Sequence, residues 1–210
     1  MKTASIKSSV FAPLFPAAGL ALLGYAGNYL SMPVAYGVSF IFGSIFSIIA
    51  IRLYGLRWGT AVALVASSYT LLLWNHPYAI IIFAAEAVWI GLALSRGRTN
   101  ILLIDSLYWL CLGVPLVALF YFGVMGLGFQ STLIIALKQS INGIINALVA
   151  SLILSCLPVD RWLRTGKEPV RPTFATILFH LTSTSLMLPA IGILFYYNHR
   201  DLTLDRKSVV

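Results

Sequence analysis

Long apolar runs alternate with short polar or Gly/Pro-rich breaks along the whole chain. The pattern predicts seven helical spans, at 9–30, 34–54, 58–75, 78–95, 101–124, 131–157 and 173–197. A run of about 20 apolar residues, rising 1.5 Å each, crosses the roughly 30 Å hydrocarbon core of a bilayer. In that medium every backbone N–H and C=O must be satisfied internally, so only helices and closed barrels are stable. The short alternating segments of a barrel are missing. The expected fold class is therefore all-α, a polytopic membrane helical bundle. The breaks carry their own signals. Pro13, Pro16, Gly19, Gly24 and Gly27 predict a bent or broken first span. Gly55 and Gly59 mark a tight turn, Pro77 in TLLLWNHPY a short connection, and GVMGLGFQ a flexible link before the sixth span. The segment VDRWLRTGKEPVRP leads to the seventh span, which holds His180 and Pro189, and a polar tail fills 198–210.

One run breaks its own pattern. STLIIALKQSINGIINALVASLILSCLP is long enough to cross, yet Lys138, Asn142 and Asn146 interrupt it at i, i+4 and i+8. On a helix these three share one stripe. A lysine near the bilayer centre costs about 2.5–3.5 kcal/mol on insertion scales, so it has to face protein or water and find a partner. Glu86 is the acid expected near mid-membrane. The reading is an ion pair between Glu86 and Lys138, with Asn142 and Asn146 as hydrogen-bond partners and Tyr69, Trp74, His76 and Trp89 as walls of an outward-facing ligand or proton site. A buried clasp that fixes helix register and binds nothing explains the same residues.

Composition and charge add a topology. Of 210 residues 60% are hydrophobic, and the mean hydropathy is +0.92. The net charge of +8 comes from basic residues placed between the spans. With the N-terminus inside, Lys2, Lys7, Arg52, Arg57, Arg96, Arg98, Arg161, Arg164, Lys167 and Arg171 all fall on the inner side. The outer loops 31–33, 75–78 and 124–130 hold no Lys or Arg. This positive-inside bias sets the N-terminus inside and the C-terminus outside. It also accounts for the charge without nucleic acid. Residues 1–197 then form one seven-helix transmembrane domain, and 198–210 an extracytoplasmic tail leading into a further domain of a longer protein. Tyr29, Trp74, Tyr78, Tyr121, Phe122, Tyr196, Tyr197, Trp58 and Trp162 fall near expected boundaries, as aromatic belts do.

The remaining candidates have plainer readings. Asp105 reads as a helix N-terminal acid or a local partner of Arg96 and Arg98. His180 reads as a bundle hydrogen-bonding residue ahead of a pH switch, and His76 as a rim or capping residue. Gly43, Ser44, Ser47, Ala50, Ala63, Ser67 and Ser68 are small residues that let helices approach. Cys111 and Cys156 read as small core residues, with no disulfide framework and no metal-ligand cluster. No nucleophile–base pair, phosphate-cradling loop, HExxH or CxxC is present, so no catalysis, metal or cofactor is expected of this segment.

The runs GVSFIFGSIFSIIAIRLYGLRWGTAVALVASSYTLLLWNHPYAIIIFAAEAVWIGLALSRGR, LLIDSLYWLCLGVPLVALFYF, LIIALKQSINGIINALVASLIL and RPTFATILFHLTSTSLMLPAIGILF resemble the N-terminal multi-helix sensor regions of bacterial histidine kinases and GGDEF-type signalling proteins. The resemblance covers residues 10–197. It implies a signal-input module in the bacterial inner membrane, with the lipid bilayer and a small-molecule ligand as partners. It also implies a homodimer formed through a downstream output domain, with kinase or cyclase activity confined to that domain. The family's phosphoacceptor histidine and nucleotide boxes have no counterpart here. More distantly, the chain is similar to the substrate-binding S-components of energy-coupling-factor vitamin transporters, which implies a transport subunit instead.

Overall fold

The computed structural model describes residues 13–34 and 38–163, together with helical positions 177–179, 181–183 and 185. The expected seventh span, His180 and the tail lie, but for those positions, outside the described residues, as do residues 9–12 of the first span. Helix α1 runs Leu14–Tyr29. Two short antiparallel strands follow, β1 Met32–Val34 and β2 Val38–Phe40, in register Met32↔Phe40. Then come α2 Gly43–Tyr54, α3 Leu56–Trp74, α4 Tyr78–Ser95, α5 Ile101–Val124, α6 Phe129–Cys156 and the short α7 Val159–Trp162. Four of these, α3 to α6, are long and apolar enough to cross a membrane. The all-helical membrane bundle is thus the observed architecture. Large apolar side chains such as Leu22, Leu72, Leu110 and Phe129 point outward, where lipid tails replace water as solvent.

The connections follow the expected punctuation. Gly55 takes φ 87°, which only glycine adopts freely, and lets α3 fold straight back on α2, with Gly59 pressed against Ile51. Asn75 ends α3 in the left-handed conformation and Pro77 opens the way into α4. The side chain of Asn100 caps α5, its Oδ1 accepting from Leu103 N at 3.1 Å. Within α5 the segments Trp109–Gly113 and Ala118–Val124 are wound as π-helix on either side of Pro115. Proline lacks an N–H and crowds the carbonyl one turn before it, so the helix widens there.

The expected second span is the main departure. Only Gly43–Tyr54 is helical, 12 residues or about 18 Å, too short to cross. The helix begins deep in the bundle. Gly43 lies against Asn28, whose Nδ2 donates to the carbonyl of Ala66, midway along α3. Two short antiparallel strands thus separate α1 from α2, which turns helical beside the last turn of α1 and level with the middle of α3. Irregular backbone survives at such depth only when protein buries it and supplies its hydrogen bonds. Neither the hydropathy of 34–42 nor its residue types distinguish this break from a helix.

Candidate functional site

The site is built around that break. Ile41 precedes α2, and Phe42 is its N-cap, with its carbonyl accepting from Ile45 N at 3.3 Å. Asn142 Oδ1 accepts from Ile41 N at 3.0 Å, and Asn146 Nδ2 donates to Ile41 O at 2.9 Å. Both asparagines come from α6, one turn apart, as the stripe requires. From α1, Asn28 Oδ1 accepts from Gly43 N at 2.6 Å. Three buried asparagines from two helices thus hold both polar groups of Ile41 and the first N–H of α2. Asn142 and Asn146 act as a clasp, as one of the two sequence readings had it, but the object clasped is the backbone of the break.

Glu86 lies on the other side of the same helix start. Its side chain is 1% exposed. Ser44 Oγ, in the first turn of α2, donates to Glu86 Oε2 at 2.7 Å, and Trp109 Nε1, at the start of the π-helical turn, donates to Oε1 at 3.0 Å. The positive end of the α2 dipole faces this carboxyl, which favours an acid there. Asp105, one helical turn before Trp109, is fully buried, and no N–H or hydroxyl reaches its oxygens. It lies beside the Glu86 carboxyl. Tyr108 closes the cluster from below, its hydroxyl donating to Ile82 O at 2.6 Å.

The expected Glu86–Lys138 ion pair does not form. The indole of Trp109 fills the space between α4 and α6: it lies edge-on to Phe83 at 6.1 Å and is packed on Gly143 so closely that a Cβ there would strike Nε1. Ser44 and Trp109 satisfy the two oxygens of Glu86. Lys138, 8% exposed, sits above the Phe40 ring, its Nζ 5.6 Å from the centroid and without a hydrogen-bond partner.

The other expected site residues separate into groups. Trp74 and His76 stack at 6.4 Å at the α3–α4 end, and His76 also meets Tyr78 at 5.3 Å and Tyr121 at 5.1 Å. The Tyr121 hydroxyl accepts from Gln139 Nε2 at 3.3 Å, which carries this aromatic group to the neighbour of Lys138. Burial lowers the pKa of His76 below the usual histidine value. Tyr69 is elsewhere, edge-on to Tyr25 at 5.2 Å and Tyr29 at 5.8 Å between α1 and α3. Trp89 faces α5, with Nε1 donating to Ile104 O at 3.0 Å. Cys111 and Cys156 are exposed on the bundle surface, not in its core. Among the described residues no group of three or more His, Cys, Asp or Glu could hold a metal ion.

Sequence reasoning missed Asp105, Trp109, Ser44 and Asn28. The i, i+4 spacing of Asp105 and Trp109 was a usable signal, since it puts an acid and an indole donor on one face of α5. Asn28 and Ser44 carried none, because their partners are distant in the chain. A cavity of about 10 Å³ adjoins the helix start, lined by Asn28, Gly43, Ser44, Ser47, Ser67 and Phe83 among others. That is room for about one water. No family model, no curated protein and no solved structure matches this chain.

Proposed function

We propose that this chain is the membrane-embedded input module of a bacterial signalling protein. In this reading seven spans lie in the inner membrane with the N-terminus inside, and the module dimerises through an output domain that follows it. The supporting observation is the helix start at mid-bundle. Side chains from α1, α4 and α6 converge on Ile41–Ser44, while Trp109 and Asp105 of α5 complete the Glu86 cluster. A short helix so tied reports the position of its neighbours, and those neighbours report its own. Signal transfer requires an element with two arrangements that a ligand or the membrane biases. Two buried acids side by side in a membrane bundle are a functional feature by default.

The transport reading draws on the same break, because transporters place half-helix N-termini at their substrate sites. The two readings separate in the parent cell. Chromosomal Glu86→Gln and Asn146→Leu variants, present in the membrane at wild-type level, are expected to change the transcript profile and leave solute accumulation unchanged. Lost uptake of a radiolabelled vitamin with an unchanged profile would replace the sensor by a transport subunit. Thiol labels at 76 and 126 reaching only from outside, and at 55 and 97 only from the cytoplasm, test the orientation.

A further inference from the structure

Lys138 is left over from everything above. Its ammonium is buried on α6, and among the described residues it has no hydrogen-bond partner and no ion pair. Asn142, one turn deeper on the same stripe, spends its Oδ1 on Ile41, and its Nδ2 is also buried and without a partner. Two unused donors, one of them cationic, therefore stand one turn apart and face the Phe40–Ile41 segment. Leaving a cation and an amide N–H without acceptors in a membrane interior is costly. Of the acids that could answer Lys138, Glu86 is held by Ser44 and Trp109, and Asp105 lies beside Glu86. The wall here is aromatic, with the Phe40 ring under Nζ.

We propose that Lys138 Nζ and Asn142 Nδ2 bind the carboxylate of a small organic monoanion whose apolar body packs against Phe40. One lysine neutralises one negative charge, so a monocarboxylate fits where a dianionic phosphate would leave charge over in an apolar wall. Ammonium and amide donors supply the charge-assisted bonds. Because Asn142 also holds Ile41, an occupant at this point touches the residue that fixes the start of α2. The inference rests on the sensor reading and names its ligand class.

The test uses the full chain in lipid nanodiscs and measures thermal unfolding with sodium benzoate, its neutral isostere benzamide, and sodium chloride at equal ionic strength. Benzoate is expected to raise the wild-type Tm by roughly 3 °C or more at saturating excess, and benzamide or chloride by none. Lys138→Met removes the unmet charge; it is expected to unfold no lower than wild type and to lose the benzoate response. Asn142→Asp keeps an acceptor for Ile41 and sets a fixed carboxylate beside Lys138. It is expected to raise the basal Tm and abolish the response. If Lys138→Met fails to fold, Asn142→Asp alone decides. An equal benzoate shift in the wild type and in Asn142→Asp would overturn the proposal. So would the absence of any shift from acetate, butyrate, benzoate and, supplied within the nanodisc lipid, oleate. A response to oleate alone supports the carboxylate site and makes its source the membrane. Carboxylate binding without any change in transcript profile keeps the site and removes the sensor. A changed profile without carboxylate protection keeps the sensor and removes the site.

Discussion

Asn142→Leu removes one hydrogen bond and keeps the branched outline of the side chain. What it strands is the N–H of Ile41, buried in the bundle at the point where the chain is not yet helical. An orphaned buried donor costs about 1–3 kcal/mol. Side-chain hydrogen bonds between membrane helices average about 0.6 kcal/mol, with a maximum near 1.7, because the reference state in lipid finds other partners. The N–H of Ile41 has no helical acceptor to fall back on, so the upper part of that range applies, about 1–2 kcal/mol. Asn146→Leu strands the carbonyl of the same residue and is expected to cost a similar amount. The two losses are not independent. Once Ile41 is free of either asparagine it can move from both, so the double variant is expected to lose less than the sum by at least about 0.5 kcal/mol. Asn28→Leu removes two bonds, to Gly43 N and Ala66 O, and is expected to cost more than either. Reversible unfolding in mixed micelles, followed by tryptophan fluorescence, measures these differences, and hydrogen exchange at the Ile41 amide locates them. Single variants within about 0.3 kcal/mol of wild type, with the Ile41 amide still protected, would show that the asparagines do not hold the break.

Glu86→Gln keeps an acceptor for Ser44 or Trp109, so it is expected to cost under about 1 kcal/mol, whereas Glu86→Leu strands both donors and costs about 3 kcal/mol. Equal unfolding midpoints for the two would refute that hydrogen-bond arrangement. Gly143→Ala drives a methyl group into Trp109 Nε1 and is expected to destabilise by about 1–3 kcal/mol and shift the tryptophan emission; unchanged emission would put the indole elsewhere. His76 has a lowered pKa in the fold, so between its folded value and about 6.5 the unfolded chain binds the extra proton. Stability is therefore expected to fall as pH drops below about 6.5, and His76→Phe to flatten that slope in unfolding curves taken from pH 5 to 8.

The Lys138–Asn142–Asn146 stripe was legible because a helix alone decides which residues share a face, and α6 is a helix by length and hydropathy. Its partner was not. Depth counted from span ends brought Glu86 level with Lys138, but depth says nothing about what stands between two helices. The Trp109 indole stands there, and its position depends on the π-helical turn beginning at that residue and on the missing side chain at Gly143. Asp105 was misplaced for a related reason. Near the start of a span it reads as an interfacial acid, and only the packing of α5 against α4 turns it inward to Glu86. The cysteines show the same limit: a small apolar residue suits core and lipid equally, so nothing in its type tells which way it points.

Taken alone, the chain decides its solvent and its helices. Long apolar runs have no stable state in water, and in lipid the backbone must pair with itself, so membrane-length helices follow from composition and spacing, and four of the seven expected spans are of that length among the described residues. What the chain alone does not decide is where a helix is interrupted. Residues 34–42 are apolar enough for either outcome, and the difference is settled by Asn28, Asn142 and Asn146, which offer the backbone of Ile41 and Gly43 the hydrogen bonds a helix would otherwise provide. Those donors and acceptors come from residues 15 to 105 positions away, and only the folded bundle brings them to one point.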